Sequence, residues 1–146
     1  MRAESDAKFR KVVTNLPPKN TALSEKSVIF VSKSIIVRVM QHGFIKVGAA
    51  VPLVSVADTK YNTNQLIALA QRAHEEAAEV TVFPELCITG YTCGDLLTQQ
   101  TLLQEAENSV AEFAEATKEY DNIYIIGAPI YVCGALYNCA LVMQKG

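Results

Sequence analysis

The side chain best placed to do chemistry in this sequence is Glu85, which directly follows the apolar run Val80-Thr81-Val82-Phe83 and Pro84. A carboxylate there lies where the carboxyl ends of parallel strands open into a crevice, the edge that active sites favour. Pro84 removes a backbone donor and fixes the local dihedral, and Gly90 lets the chain turn back sharply. Held in this way and partly desolvated, the carboxylate would suit a general base. A helix cap or a surface ion pair would use the same residue type, so position alone leaves both readings open. Cys87 shares a strand face with Glu85 if the chain stays extended, which would bring thiol and carboxylate together. No lysine or histidine is placed to generate a thiolate there, and Cys87 is not expected to be a nucleophile. Tyr91 on its own reads as a core aromatic with a satisfied hydroxyl.

Other chemistries find little support. The cysteines at 87, 93, 133 and 139 never make a CxxC pair, which argues against zinc ribbons and thioredoxin-like redox sites. They are expected to be small buried hydrophobes in a reducing cytosol. His42 and His74 are isolated, and His74 is expected on a helix surface. There is no GxGxxG, P-loop or glycine-serine phosphate loop, so no cofactor site and no metal site is expected in this chain. A net charge of -2 offers nothing to nucleic acid. The acidic residues between Glu105 and Asp121 read as the solvated face of a helix. Ser27 to Met40 contains Lys33 and Arg38 and is too short and too charged to span a bilayer, and its polar lead-in does not suit a signal peptide. The expected location is cytoplasmic, with no membrane partner.

The elements that must position Glu85 follow from periodicity. Residues 1–42 read as an amino-terminal extension, poorly ordered, with a possible strand at 28–39. Met40-Gln41-His42-Gly43-Phe44 would make a natural start for a domain covering 43–146. Phe44 to Pro52 predicts a strand buried on both faces. Asn62 and Asn64 offer caps to a helix over 65–78, with Leu66, Leu69, Ala70 and Ala73 on one face. Residues 79–84 predict a strand parallel to the first. A loop through Gly90 and Gly94 leads to a helix over 102–119, where Leu103, Ala106, Val110, Phe113 and Ala114 share a face. Residues 123–130 and 136–144 predict an antiparallel hairpin turning at Cys133-Gly134. The order β, α, β, α, β, β is that of an α/β protein, a layered sheet with helices packed on it.

The string Val82-Phe83-Pro84-Glu85-Leu86-Cys87-Ile88-Thr89-Gly90-Tyr91 resembles the FPEL…GY signature of the nitrilase, or carbon-nitrogen hydrolase, superfamily. Its continuation Thr92-Cys93-Gly94-Asp95-Leu96-Leu97 is similar to the extension found in the glutaminase domains of glutamine-dependent NAD synthetases. Ile126-Gly127-Ala128-Pro129 and Leu136-Tyr137-Asn138-Cys139-Ala140 resemble the strand pair that follows in this superfamily. The resemblance runs from Gly43 to Gly146. It implies part of a nitrilase-type α-β-β-α sandwich.

It also implies hydrolysis of glutamine by a Glu, Lys and Cys triad, with ammonia passing to an ATP-binding synthetase domain that converts deamido-NAD. Glu85 takes the general-base position and Tyr91 that of a tyrosine lining the glutamine pocket. The family pattern usually has a small or apolar residue where Cys87 stands. Lys145 precedes the turn after which the family's lysine falls, and the family's cysteine lies on a later strand. The resemblance therefore implies an incomplete domain that is inactive alone, whose ATP belongs to a domain expected downstream and whose copies form a homo-oligomer. A stand-alone amidase or nitrilase, incomplete in the same way, is the second reading. A non-catalytic folding or interaction module is the third.

Overall fold

The protein, seen in a computed structural model, is described over residues 28–30 and 44–146, with side chains from residue 44 onward. The expectations for residues 1–42 lie outside the described residues, apart from a short strand β1, Val28–Phe30, within the segment predicted as a strand. The remaining strands are β2 (Val47–Ala49), β3 (Val80–Val82), β4 (Ile123–Val132) and β5 (Ala135–Met143). The helices are α1 (Thr59–Glu75) and α2 (Gln100–Ala116). The sheet order is β1-β5-β4-β3-β2, parallel throughout except for the β4–β5 hairpin. From β2 onward this is the expected α/β order.

The register of the hairpin comes from its turn. Cys133 and Gly134 both have positive φ, 52° and 80°, the two-residue geometry whose twist matches that of the flanking strands. It pairs Val132 with Ala135 and carries the pairing back to Tyr124 and Met143.

Both helices cover the same face of the sheet. Phe113 of α2 is fully buried and meets Phe83 and Tyr124 edge to face, with ring centroids 6.0 and 5.6 Å apart. The Tyr124 hydroxyl donates to the Ala70 carbonyl of α1 at 3.0 Å, so the one polar atom of this buried ring is satisfied. Leu66, Ile126 and Leu141 complete the contact, each contributing about 1.5–3 kcal/mol by burial, with Ala106 filling the space between helix and sheet. Alternation along the strands sends Val47, Val82, Ile125 and Val142 to the opposite face. No described helix covers that face, and Val47 is 66% exposed there.

Three sequence expectations change. The segment expected as a strand over Phe44 to Pro52 forms only the short edge strand β2, Val47–Ala49, and Phe44, Val47 and Val51 are exposed, where burial on both faces was expected. An apolar run shows a capacity for burial and says nothing about whether a neighbour covers it. Helix α1 begins at Thr59, with Asp58 as its cap: the Asp58 carboxylate accepts from the Tyr61 backbone N–H at 3.0 Å. Asn62, expected to cap, is instead a buried residue inside the helix. The segment expected as a loop forms 3-10 turns over Tyr91–Thr98, broken at Thr92 and Gly94, too short to leave a periodic trace in sequence.

Candidate active site

The chain leaves β3 at Val82 and enters a tight turn over residues 85–89. The Phe83 N–H continues the ladder by donating to the Ile125 carbonyl at 2.8 Å. The Leu86 carbonyl then accepts from the N–H groups of Thr89, at 3.1 Å, and Gly90, at 2.7 Å, which closes the turn. Leu86 has a φ of 50°, a left-handed conformation unfavourable for a residue with a side chain. Strain of this kind gathers at sites whose geometry the surroundings enforce.

Those surroundings are β4 and α1. Gly127 in β4 presents bare backbone to the turn: a Cβ there would stand 2.4 Å from the Leu86 nitrogen and 2.6 Å from the Pro84 oxygen. Its carbonyl accepts the Ile88 N–H at 3.4 Å and the Cys87 thiol at 3.5 Å. From the other side Asn62 reaches in with no solvent exposure. Its Nδ2 donates to the carbonyls of Ile88, 2.9 Å, and Ser55, 2.8 Å, and its Oδ1 accepts from the Ser55 N–H at 2.7 Å. The side chain thus joins the loop before α1 to the turn after β3. Gly90 permits close packing against the same loop at a φ of 91°, with Val56 Cα 3.4 Å from where its Cβ would be.

Glu85 emerges from this clamp exposed, and the Asn138 side-chain amide of β5 donates to its Oε1. Asn138 lies opposite Pro129 and Gly127 opposite Ala140, so all four residues belong to the face away from the helices. The expected position beyond the carboxyl end of β3 is where Glu85 stands, while partial desolvation is not: within this chain the carboxylate is open to solvent. Tyr91 begins the 3-10 segment and is 71% exposed, which removes the reading of it as a core aromatic.

The thiols are elsewhere in character. Cys87 follows Glu85 through a turn, and the extended arrangement considered from sequence does not occur; Cys87 is buried beneath β4. Burial pushes its thiol up to about 11, the opposite of what a nucleophile at neutral pH requires. Burial also raises the Cys139 thiol, and Cys93 is buried with its Sγ 3.0 Å from the Thr89 carbonyl. Cys133 departs from the expectation of burial: it occupies the hairpin turn and is exposed. Lys145 pairs with Asp121 at 2.6 Å, at the end of the hairpin remote from Asn138. His74 is exposed as expected but not isolated, since it stacks on Tyr120 at 4.2 Å and bonds Asn122 at 2.7 Å. Among the described residues no group of three His, Cys, Asp or Glu could hold a metal ion, and no helix is long and apolar enough to cross a membrane.

The Cys87 shift has a consequence for stability. An unfolded thiol releases its proton near pH 9.0, while the folded one keeps it to about 11. The stabilisation is complete below pH 9 and is lost as pH rises through 11, because the unfolded state then binds fewer protons. Urea midpoints measured at pH 8 and pH 11 should fall steeply for the wild type and less for Cys87→Ala; equal slopes would show that the thiol plays no part.

Sequence reasoning had named Glu85 and Tyr91 but not the residues that hold the turn. Asn138 and Gly127 both lay within strings recognised for their resemblance, and a polar amide alternating with apolar residues in a strand was the available signal. Asn62 was read as a cap because helix starts favour that residue type.

The described residues form an α/β sheet with helices packed on one face and an exposed glutamate beyond a parallel strand. The carbon-nitrogen hydrolase family profile matches residues 36–146, beginning before the Gly43 boundary drawn from sequence, and the chain belongs to that family. It is 33% identical over 104 residues to the glutamine-dependent NAD(+) synthetase of Mycobacterium leprae, covering 71% of this chain and 15% of that protein. The crystal structure of a glutamine-dependent NAD(+) synthetase from Cytophaga hutchinsonii superposes with a TM-score of 0.65 at 28% identity, over 69% of this chain and 17% of that one. An amidase from Nesterenkonia sp. shares the fold, with a TM-score of 0.54 at 16% identity over 62% of this chain and 34% of its own. The chain is thus homologous, distantly and in part, to the glutaminase region of NAD synthetases, and the described residues adopt part of the nitrilase fold.

Proposed function

We propose that this segment serves glutamine amide hydrolysis, supplying ammonia for ATP-dependent NAD synthesis from deamido-NAD in a larger protein. Glu85 acts there as general base and Tyr91 lines the glutamine pocket. The observation that supports this best is the exposed Glu85 carboxylate, held by Asn138 over a turn clamped on Gly127. Amide hydrolysis needs a base of this kind to take a proton from the attacking group and return it to the departing ammonia. The nucleophile and the oxyanion-stabilising lysine come from sequence outside the described residues, and ATP is bound by a separate domain. The amidase reading rests on likeness of fold alone.

By itself the 146-residue chain should release no ammonia from glutamine, since Cys87, the thiol two residues after Glu85, is buried and held protonated. Replacing the corresponding segment of the Mycobacterium leprae synthetase with residues 43–146 should restore release. Glu85→Gln in that hybrid should lower kcat by roughly 10³-fold, within the usual range for loss of a general base. A hybrid in which Glu85→Gln keeps full turnover would overturn the assignment.

A further inference from the structure

We propose that Asn138 is a positioning residue that decides which oxygen of Glu85 handles the proton, an inference that rests on the reading of Glu85 as a base. A free carboxylate has two equivalent oxygens and rotates about its terminal torsion, so an exposed glutamate presents no fixed basic lone pair. Here the Asn138 Nδ2–H occupies Oε1, and Oε2 is left as the proton acceptor. The donor's chemistry matters as much as its place. Lysine or arginine in its position would bring a positive charge against the carboxylate and lower its basicity. A carboxamide donates without bringing a charge, so it fixes the orientation of the carboxylate.

The fold delivers Asn138 to this point by register. The two-residue turn at Cys133-Gly134 sets Asn138 opposite Pro129, on the face that also carries Gly127 and the Glu85 turn. A slip of one residue would carry Asn138 to the helix-covered face and bring buried Cys139 out in its place. The carboxylate is therefore held by Asn138 on β5, the turn that carries it rests on Gly127 of β4, and their mutual geometry depends on the single tight turn joining those strands.

The test uses the ¹⁵N-labelled 146-residue chain, in which the Asn138 side-chain amide is assigned by its loss in Asn138→Asp. Its resonances should move when the solution is taken from neutral to acid, and the movement should vanish in Glu85→Gln. An Asn138 amide that stays flat with pH, or that titrates equally in Glu85→Gln, overturns the proposal. Should Glu85→Gln lose its dispersed spectrum, Glu85→Asp replaces it: the shorter carboxylate should at least halve the titration amplitude, and an undiminished amplitude counts against the pairing. In the hybrid synthetase, Asn138→Leu should lower kcat by about tenfold to a hundredfold with KM nearly unchanged, and Asn138→Gln should recover part of the loss. Equal losses for Leu and Gln, or a change confined to KM, would mean that Asn138 does not orient the base. The outcomes separate the two claims: a titrating Asn138 amide beside an active Glu85→Gln hybrid sinks only the assigned reaction, whereas a flat amide beside an inactive one sinks only the role of Asn138.

Discussion

Gly127→Ala should be among the most damaging single substitutions in this chain, lowering unfolding free energy in urea by about 3 kcal/mol. The added carbon meets backbone on three sides: the Leu86 nitrogen at 2.4 Å, the Pro84 oxygen at 2.6 Å and the Glu85 carbonyl carbon at 2.8 Å. A flexible side chain could rotate out of the way. Backbone cannot, and Leu86 is already held at a φ of 50°. The turn must therefore lift from β4, giving up the Ile88 N–H bond to the Gly127 carbonyl and moving the Glu85 carboxylate from Asn138. Gly48→Ala is the control, because its added carbon would come no closer than 3.4 Å to the Thr81 hydroxyl and its backbone needs no positive φ. A Gly127→Ala protein as stable as Gly48→Ala would show that the turn does not rest on β4 as described.

Asn62→Leu should cost a similar amount, on the order of 3 kcal/mol, although leucine matches asparagine in size and favours a helix. The loss comes from what the amide leaves behind. The Ile88 carbonyl loses its side-chain partner in a buried position and the Ser55 N–H loses its partner in a part-buried one, while the Ser55 carbonyl keeps only the Asp58 N–H at 3.3 Å. Each such orphan carries a desolvation penalty of about 1–3 kcal/mol, partly relieved if the loop shifts outward. For a domain of this size the melting temperature should fall by roughly 12 °C or more. Asn64→Leu, on the exposed side of the same helix, should change it little. Equal melting temperatures for the two variants would refute the bridging role.

These residues mark where the sequence was legible. The strand and helix order from β2 onward, the hairpin and its turn, and the position of Glu85 beyond β3 followed from local signals: periodicity, paired turn residues and a glutamate after a proline-ended apolar run. The grip on Glu85 did not. Gly127 works through contact with residues about forty positions earlier, and Asn138 through a partner more than fifty positions away. Neither separation leaves a local pattern. Asn62 shows a further limit, since one residue type serves both as a helix cap and as a buried bridge, and only the neighbours decide which. The exposure of β2 was hidden for the same reason, because an edge strand and a central strand can be written in the same apolar letters.

The sheet face that no described helix covers would set how the folded chain behaves in company. On it Val47 and Val82 are exposed, with half-buried Ile125 and Val142 beside them, an aliphatic strip suited to meet another apolar surface. Attraction between such surfaces is largely entropic near room temperature and grows on warming. Association that covered this face would also shield the native state by mass action, and the apparent stability of the chain would then rise with its own concentration.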